Sequence, residues 1–190
     1  MLITGGSSTY RDNYADKWNG TTWSATTNIP SNMTSHNQAG ATSESAHIAG
    51  GGVAWAGDWD GTTWTQTTTI TQGSDSTPRY VSGGGSKDSH WVMCGLDGGT
   101  SMNNCTLWNG SSWTETTDAN TARRLCAGVG SGSSDAFVFG GDTNPNPYTV
   151  NAETWDGSSW TEVANLNTAR RLMGSAGITT ASLCIGGGEA

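Results

Sequence analysis

Two tryptophans separated by four turn-forming residues recur four times in this 190-residue chain. They read Trp18-Asn19-Gly20-Thr21-Thr22-Trp23, Trp59-Asp60-Gly61-Thr62-Thr63-Trp64, Trp108-Asn109-Gly110-Ser111-Ser112-Trp113 and Trp155-Asp156-Gly157-Ser158-Ser159-Trp160. A second landmark, an apolar segment ending in glycine, falls at Gly5, Gly50, Gly95, Gly140 and Gly186, at intervals of 45, 45, 45 and 46 residues. Such a period marks an array of supersecondary units, each too small to bury its own apolar face and stable only when stacked on its neighbours. It divides a single domain, 1–190, into repeats at about 5–49, 50–94, 95–139 and 140–185.

Leu, Ile, Val and Phe supply only 22 residues, below the roughly 20% under which chains tend to be disordered. Tryptophan offsets this. Eight of the ten Trp sit in the motif, and each buries on the order of 150–250 Å2. Order is expected to come from Trp packed on small residues. The net charge is −8, with Lys17 and Lys87 the only lysines. That argues against nonspecific nucleic-acid binding, which needs a basic surface, and against an anionic membrane surface. No apolar run approaches the ~18 residues of a membrane span. The opening Met1-Leu2-Ile3-Thr4-Gly5-Gly6 lacks the basic and long apolar segments of a secretory signal. Synthesis in the cytoplasm is expected, with a virion or extracellular location reached by assembly or lysis.

Within a repeat the pattern reads as four strands. Asn-Gly or Asp-Gly between strands is a strong hairpin signal, because both residues accept positive φ. Read as a loop of two or of four residues, the turn puts both Trp on one face of the hairpin. The double glycines mark strand ends, and the preceding strand is rich in small residues, as in Cys126-Ala127-Gly128-Val129-Gly130. Small side chains suit a strand crowded against its own copies around an axis. No helical period of 3.6 appears. The expected fold is all-β, four-stranded antiparallel units arranged radially as a β-propeller.

These residues resemble kelch repeats, in which an Arg precedes the innermost strand, a double Gly ends the second, and Tyr and Trp follow. Thr77-Pro78-Arg79 resembles the lead-in, and Tyr148 with Trp155 resembles the Tyr–Trp spacing, which only this repeat keeps. The combination of Trp155–Thr161 with Asn167-Thr168-Ala169-Arg170 is similar to kelch-like proteins of marine phages and environmental sequences. The resemblance implies a kelch-like propeller and, in that setting, a virion or appendage protein. Kelch propellers serve many functions, so the fold alone does not select one.

The ring closes with four blades if Leu172 to Ile178 completes the blade begun by Leu2 to Thr4, leaving one second-type strand over. Five blades with two incomplete, a ring shared between chains, or a segment of a longer polymer remain open. A surplus strand edge recruits other strands, so a homo-oligomer through the terminal strand edge is one expectation.

Arg79, Arg123, Arg124, Arg170 and Arg171 all precede the innermost strands, while the first repeat has Thr34-Ser35-His36 there. A partial cationic ring of this kind would bind a carboxylate, phosphate or acidic sugar. The competing expectation is that each Arg bridges blades through backbone carbonyls or nearby Glu115 and Glu162. The motif Trp, together with Trp55 and Trp91, are expected to pack internally rather than to stack on sugars. His36, His47 and His90 fall at different repeat phases with no ligand spacing, and no nucleophile or phosphate-loop motif is present. The copper-ligand motifs of galactose oxidase, a kelch-like enzyme, are not matched. No cofactor, metal or catalytic residue is assigned. Cys94, Cys105, Cys126 and Cys184 do not recur at one repeat position and are expected to be buried thiols, with Cys94 and Cys105 facing each other on neighbouring strands. The Asn-x-Ser/Thr triplets at Asn19 and Asn109 belong to the turns, and none, including Asn32 and Asn104, is read as a glycosylation site. The expected function is a non-catalytic structural or adhesion component of a phage virion. Its partners would be other virion proteins or a cell-surface glycan or protein. A lectin-like propeller with the Arg-lined rim as its site is the alternative, and a propeller enzyme the third reading.

Overall fold

The computed structural model describes residues 2–4, 13–143 and 148–189. Every element among them is a strand or turn. Five antiparallel sheets follow one another along the chain, and two short pairings, Leu96–Asp97 with Thr100–Ser101 and Arg170–Arg171 with Gly188–Glu189, lie beside them. Sheet I has three strands, Leu2–Thr4, Ala15–Trp18 and Trp23–Ala25. Three complete sheets come next. Sheet II is His36–Thr42, Ser45–Gly50, Gly57–Trp59 and Trp64–Gln66. Sheet III is Ser82–Ser86, Ser89–Met93, Cys105–Trp108 and Trp113–Glu115, and sheet IV is Ala127–Gly132, Asp135–Phe139, Ala152–Trp155 and Trp160–Val163. Sheet V is a hairpin of Gly174–Ile178 and Ala181–Ile185. Three complete meanders of one design therefore stand between two partial ones. Among the described residues Leu2–Thr4 pairs with Ala15–Trp18 alone, and Gly174–Ile178 pairs with Ala181–Ile185 alone. The expected pairing of Leu172 to Ile178 with Leu2 to Thr4 is not formed.

Each Trp motif closes the last two strands of its sheet. Trp18 stands opposite Trp23, Trp59 opposite Trp64, Trp108 opposite Trp113 and Trp155 opposite Trp160, so the loop is four residues long. The ring centroids lie 5.4, 5.1, 5.3 and 5.5 Å apart, all tilted by 40–45°. Four nearly identical geometries from one motif show that the turn dictates the pairing. In each turn the Asn or Asp side chain accepts hydrogen bonds from the backbone N–H groups two and three residues on, as Asp156 does from Ser158 and Ser159 at 2.8 and 2.9 Å. The Ser158 hydroxyl, together with those backbone donors, holds Asp156 down to a pKa of about 2. The following glycine takes φ near +97° in Gly157, a conformation that disfavours a Cβ.

The two indoles of a pair have separate tasks. Trp59, Trp108 and Trp155 donate to Ser43, Lys87 and Ser133, in the turn between the first two strands of their own sheets. Trp64 and Trp113 donate across to Thr27 and Thr68, where the preceding sheet ends. The motif is thus a clasp within a sheet and a tie between sheets.

The first strands lie side by side in chain order: His36–Thr42 against Ser82–Ser86, that against Ala127–Gly132, and that against Gly174–Ile178. Their small residues have a specific reason. Trp91 is fully buried and its indole fills the space between first strands. A Cβ on Gly128 would come within 2.6 Å of that ring, and one on Gly130 within 2.8 Å. Trp55 likewise packs internally, over Gly57. Both extra tryptophans are packing residues.

The glycine landmark needs one realignment. Gly51, Gly95, Gly141 and Gly187 all take positive φ, and the residues before them, Gly50, Cys94, Gly140 and Gly186, do too. Cys94 therefore occupies the place of the first glycine of each pair, at φ 61°. The structural intervals are 44, 46 and 46 residues, whereas the 45 residues from Gly50 to Gly95 join the first member of one pair to the second member of the next. Gly5 lies outside the described residues.

Candidate functional site

The turn entering each first strand carries a non-glycine residue at positive φ: Ser35 (53°), Tyr80 (59°), Leu125 (54°) and Leu172 (57°). Such residues are uncommon and need support from their surroundings. Here the support is a staircase of backbone hydrogen bonds from sheet to sheet. Tyr80 N donates to Ser35 O (3.2 Å), Leu125 N to Tyr80 O (3.1 Å) and Leu172 N to Leu125 O (3.0 Å). The residues just before these four are Thr34, Arg79, Arg124 and Arg171. The staircase thus gathers three arginines at one end of the first strands and leaves the first repeat without one.

Their surroundings differ. Arg171 Nη1 and Arg124 Nη2 both contact Asp142 Oδ2, at 2.9 and 3.3 Å. The Arg171 guanidinium also lies 4.7 Å from the centroid of the Tyr148 ring, a cation–π arrangement. Arg79 is exposed and has no side-chain partner among the described residues. Beside it opens a polar recess of about 280 Å3, lined by Gly52, Asp75, Thr77, Leu96, Asp97 and Gly98. Asp75 is committed to the Thr77 turn at 2.7 Å, and Asp97 accepts from Ser74 at 3.1 Å.

Arg123 and Arg170, one residue earlier, act in the framework. Arg123 is fully buried and ion-paired with the equally buried Glu153. It also donates to the carbonyls of Asn151 (2.6 Å) and Gly140 (3.3 Å). Glu153 in turn receives the backbone N–H groups of Asn120 and Thr121 at 2.7 and 3.1 Å. One carboxylate thereby anchors the loop into the first strand of sheet IV. Arg170 repeats the carbonyl contact, donating to Gly186 O at 3.2 Å. The expected partners Glu115 and Glu162 are not used by these arginines. Both sit on outermost strands, a further strand spacing of ~4.8 Å away from the third. Glu115 instead accepts from Gly73 N and Asn104 Nδ2, and Glu162 is exposed.

A second polar centre went unseen in the sequence. His47 and His90 meet between sheets II and III, Nδ1 to Nδ1 at 2.9 Å, and both are fully buried. His90 Nε2 contacts Asn37 Oδ1 at 2.7 Å, and His47 Nε2 contacts Thr67 Oγ1 at 3.2 Å. One proton arrangement satisfies every contact. His90 carries its proton on Nε2 and donates to Asn37. His47 carries its proton on Nδ1, donates to His90 and accepts from Thr67. The His47 ring also stacks on Trp108, with centroids 4.7 Å apart. Burial pushes His47 down to about 3 and His90 well below its ordinary value, so both are neutral. Their separation of 43 residues, close to one repeat, was the available signal. His36 lies elsewhere, with Nε2 at 2.7 Å from Thr4 Oγ1.

All four thiols are free. Cys94 and Cys105 do not face each other, because Cys105 pairs in register with Met93 while Cys94 turns away at positive φ. The Cys94 thiol meets Cys126 instead, and that hydrogen bond lowers Cys126 while burial raises Cys94. Among the described residues no three His, Cys, Asp or Glu side chains converge as a metal site, and no helix is long and apolar enough to cross a membrane. Neither a protein-family model nor a curated protein sequence matches this chain.

Proposed function

We propose that this chain is a kelch-like β-propeller array acting as a rigid, non-catalytic scaffold, a structural or adhesion component of a phage particle. The observation that carries the scaffold reading is the staircase from Ser35 to Leu172, with the first strands side by side. It ties sheets II to V in succession about a common edge, an arrangement that blades around an axis would share. The polar groups of the interior support the same reading. Arg123 and Glu153 are committed to each other and to the backbone, and His47 and His90 to each other and to Thr67 and Asn37, which suits rigidity rather than turnover. The phage setting rests on the kelch-like resemblance of the Trp155–Thr161 and Asn167–Arg170 segments. Purified particles from the native host should contain this chain at a fixed stoichiometry by quantitative mass spectrometry. Its recovery only as free protein would sink the particle assignment.

A second reading, a glycan- or carboxylate-binding rim, is favoured by one observation: exposed Arg79 beside a polar recess. Arg is suited to bidentate contacts with a carboxylate or an acidic sugar. A glycan array of the wild-type chain and Arg79→Ala tests it. Loss of an acidic-glycan signal in the variant supports the rim, and an array silent for both removes it.

A further inference from the structure

Sheets I and V together contain the parts of one complete sheet. Sheet V has a first and a second strand. Sheet I has strands of the second, third and fourth kinds. In sheet IV the second strand meets the third as Ala136↔Trp155, Phe137↔Thr154, Val138↔Glu153 and Phe139↔Ala152. Laying Ala181–Ile185 and Ala15–Trp18 on that register pairs Ser182 with Trp18, Leu183 with Lys17, Cys184 with Asp16 and Ile185 with Ala15. At present three pairs of Leu2–Thr4 fill this slot.

The side chains match as well as the register does. In sheet IV the residue two before the positive-φ position is Arg123, and its acid, Glu153, stands two residues before the first Trp of the clasp. Sheets II and III have Met33 and Pro78 in the Arg place, and Gly57 and Thr106 in the acid place. Sheet V has Arg170 in the Arg place, already bonded to Gly186 O as Arg123 is to Gly140 O. The third strand of sheet I has Asp16 in the acid place, two residues before Trp18, and Asp16 is exposed. Of the four third strands, the two bearing an acid at this position are therefore the one that serves Arg123 and the one that fits Arg170.

Apolar surface agrees. Leu183 and Ile185 are 60% and 52% exposed, and they correspond to Phe137 and Phe139 of sheet IV. In the slot, Leu183 takes the place of Leu2, which packs with Ala46 and Trp59, and Ile185 takes that of Thr4. The docking also presents Leu172 O to Ser35 N, extending the backbone staircase by one step.

We propose that the hairpin Gly174–Ile185 of one copy seats on strand Ala15–Trp18 of a second copy, displacing that copy's Leu2–Thr4 and pairing Arg170 with Asp16. The second copy is indicated because, among the described residues, the hairpin makes no backbone hydrogen bond to sheet I of its own chain. The contact is head-to-tail, so it builds a closed ring of copies or a filament. It follows from register and charge, and is independent of the adhesion reading.

The test uses the 190-residue chain and three variants. By sedimentation velocity over micromolar concentrations, wild type should self-associate. Asp16→Arg and Arg170→Asp should each associate at least about tenfold more weakly, equivalent to about 1.4 kcal/mol. An equimolar mixture of the two should regain assembly, since the guanidinium introduced at position 16 of one copy meets the carboxylate introduced at position 170 of the other. Rescue in trans is unavailable to a chain that closes on itself. A monomeric wild type, or a mixture that stays monomeric, overturns the proposal. Should either charge variant fail to fold, Asp16→Cys keeps the question decidable. Its thiol lies opposite native Cys184, and mild oxidation should give a covalent dimer on a non-reducing gel. A cross-linked species of monomer size, or no cross-link, overturns it.

Discussion

The His47–His90 pair makes the fold acid-sensitive in a calculable way. Both rings are neutral in the folded chain, His47 with its pKa near 3 and His90 well below 6.5. Unfolding returns both to about 6.5, so below that pH the unfolded chain binds more protons. Stability is therefore full above the unfolded value and is lost as pH falls from about 6.5 towards 3. The loss approaches ~1.4 kcal/mol per pH unit for each ring. Between pH 7.5 and 5.0 that integrates to about 2 kcal/mol for His47, and His90 adds a loss in the same direction. For a chain of this length the melting temperature should fall by at least roughly 5 °C. A second proton on His90 Nδ1 would also point at the Nδ1–H of His47, so the geometry opposes charging beyond desolvation alone. Calorimetry from pH 5.0 to 7.5 measures the slope, with His47→Gln/His90→Gln as the control. The double variant should start less stable yet lose far less on acidification. Equal pH slopes in the two proteins would refute the assignment. Nitrogen-15 spectra at pH 5.5 should show His90 as the Nε2–H tautomer and His47 as the Nδ1–H tautomer, and an imidazolium signal from either would refute it independently.

Three further outcomes are expected. Glu153→Gln leaves Arg123 buried without its counter-charge and should cost about 3–5 kcal/mol in urea unfolding; a loss under about 1 kcal/mol would show that the Asn151 and Gly140 carbonyls suffice. Gly157→Ala should cost at least about 1 kcal/mol, because φ +97° disfavours a Cβ although the nearest atom, in Ser134, is a comfortable 3.5 Å away. Trp113→Phe removes the donor to Thr68 O, just past sheet II, and should cost about 0.5–1 kcal/mol beyond the area lost, whereas Trp108→Phe removes the donor to Lys87 O within sheet III. Hydrogen exchange around Thr68 and Lys87 separates those two effects.

Local geometry was the legible part of this sequence. The Asn-Gly and Asp-Gly turns carry their conformation in two residues, so four hairpins and the Trp18–Trp23, Trp59–Trp64, Trp108–Trp113 and Trp155–Trp160 pairs could be read before any coordinate. The position of the arginines at one end followed from the same period. What each arginine does could not be read. Arg123 and Arg124 are adjacent in sequence, yet one is fully buried on Glu153 and the other reaches Asp142 at the rim. The difference lies in which carboxylate the third strand or the loop after the second strand presents, a contact 18 or 30 residues away. The same limit hid the histidines. His47 and His90 differ by two places when counted back from Gly50 and Gly95, but by one after the shift to the aligned Gly50 and Cys94; neighbouring places on a strand face opposite sides, so the two rings meet between adjacent sheets.

That shift carries a wider consequence for how the array recognises anything. Where the repeats agree, in the clasps and the staircase, side chains are spent on holding sheet to sheet. Where they disagree, the position before each positive-φ residue holds Thr34, Arg79, Arg124 or Arg171 on an almost constant backbone. Arg124 and Arg171 share Asp142, which lowers their appeal to an anion. Arg79 has no such neighbour and stands over a recess whose carboxylates already accept hydrogen bonds, Asp75 from Thr77 in its own turn and Asp97 from Ser74. A ligand read by this rim would therefore be read asymmetrically, at one step of the staircase rather than around all of it. Arg79→Ala should abolish anion binding at the rim while Arg171→Ala leaves it within about threefold, as isothermal titration with an acidic oligosaccharide would register. Equal losses from both substitutions would mean that the arginines act as a ring after all.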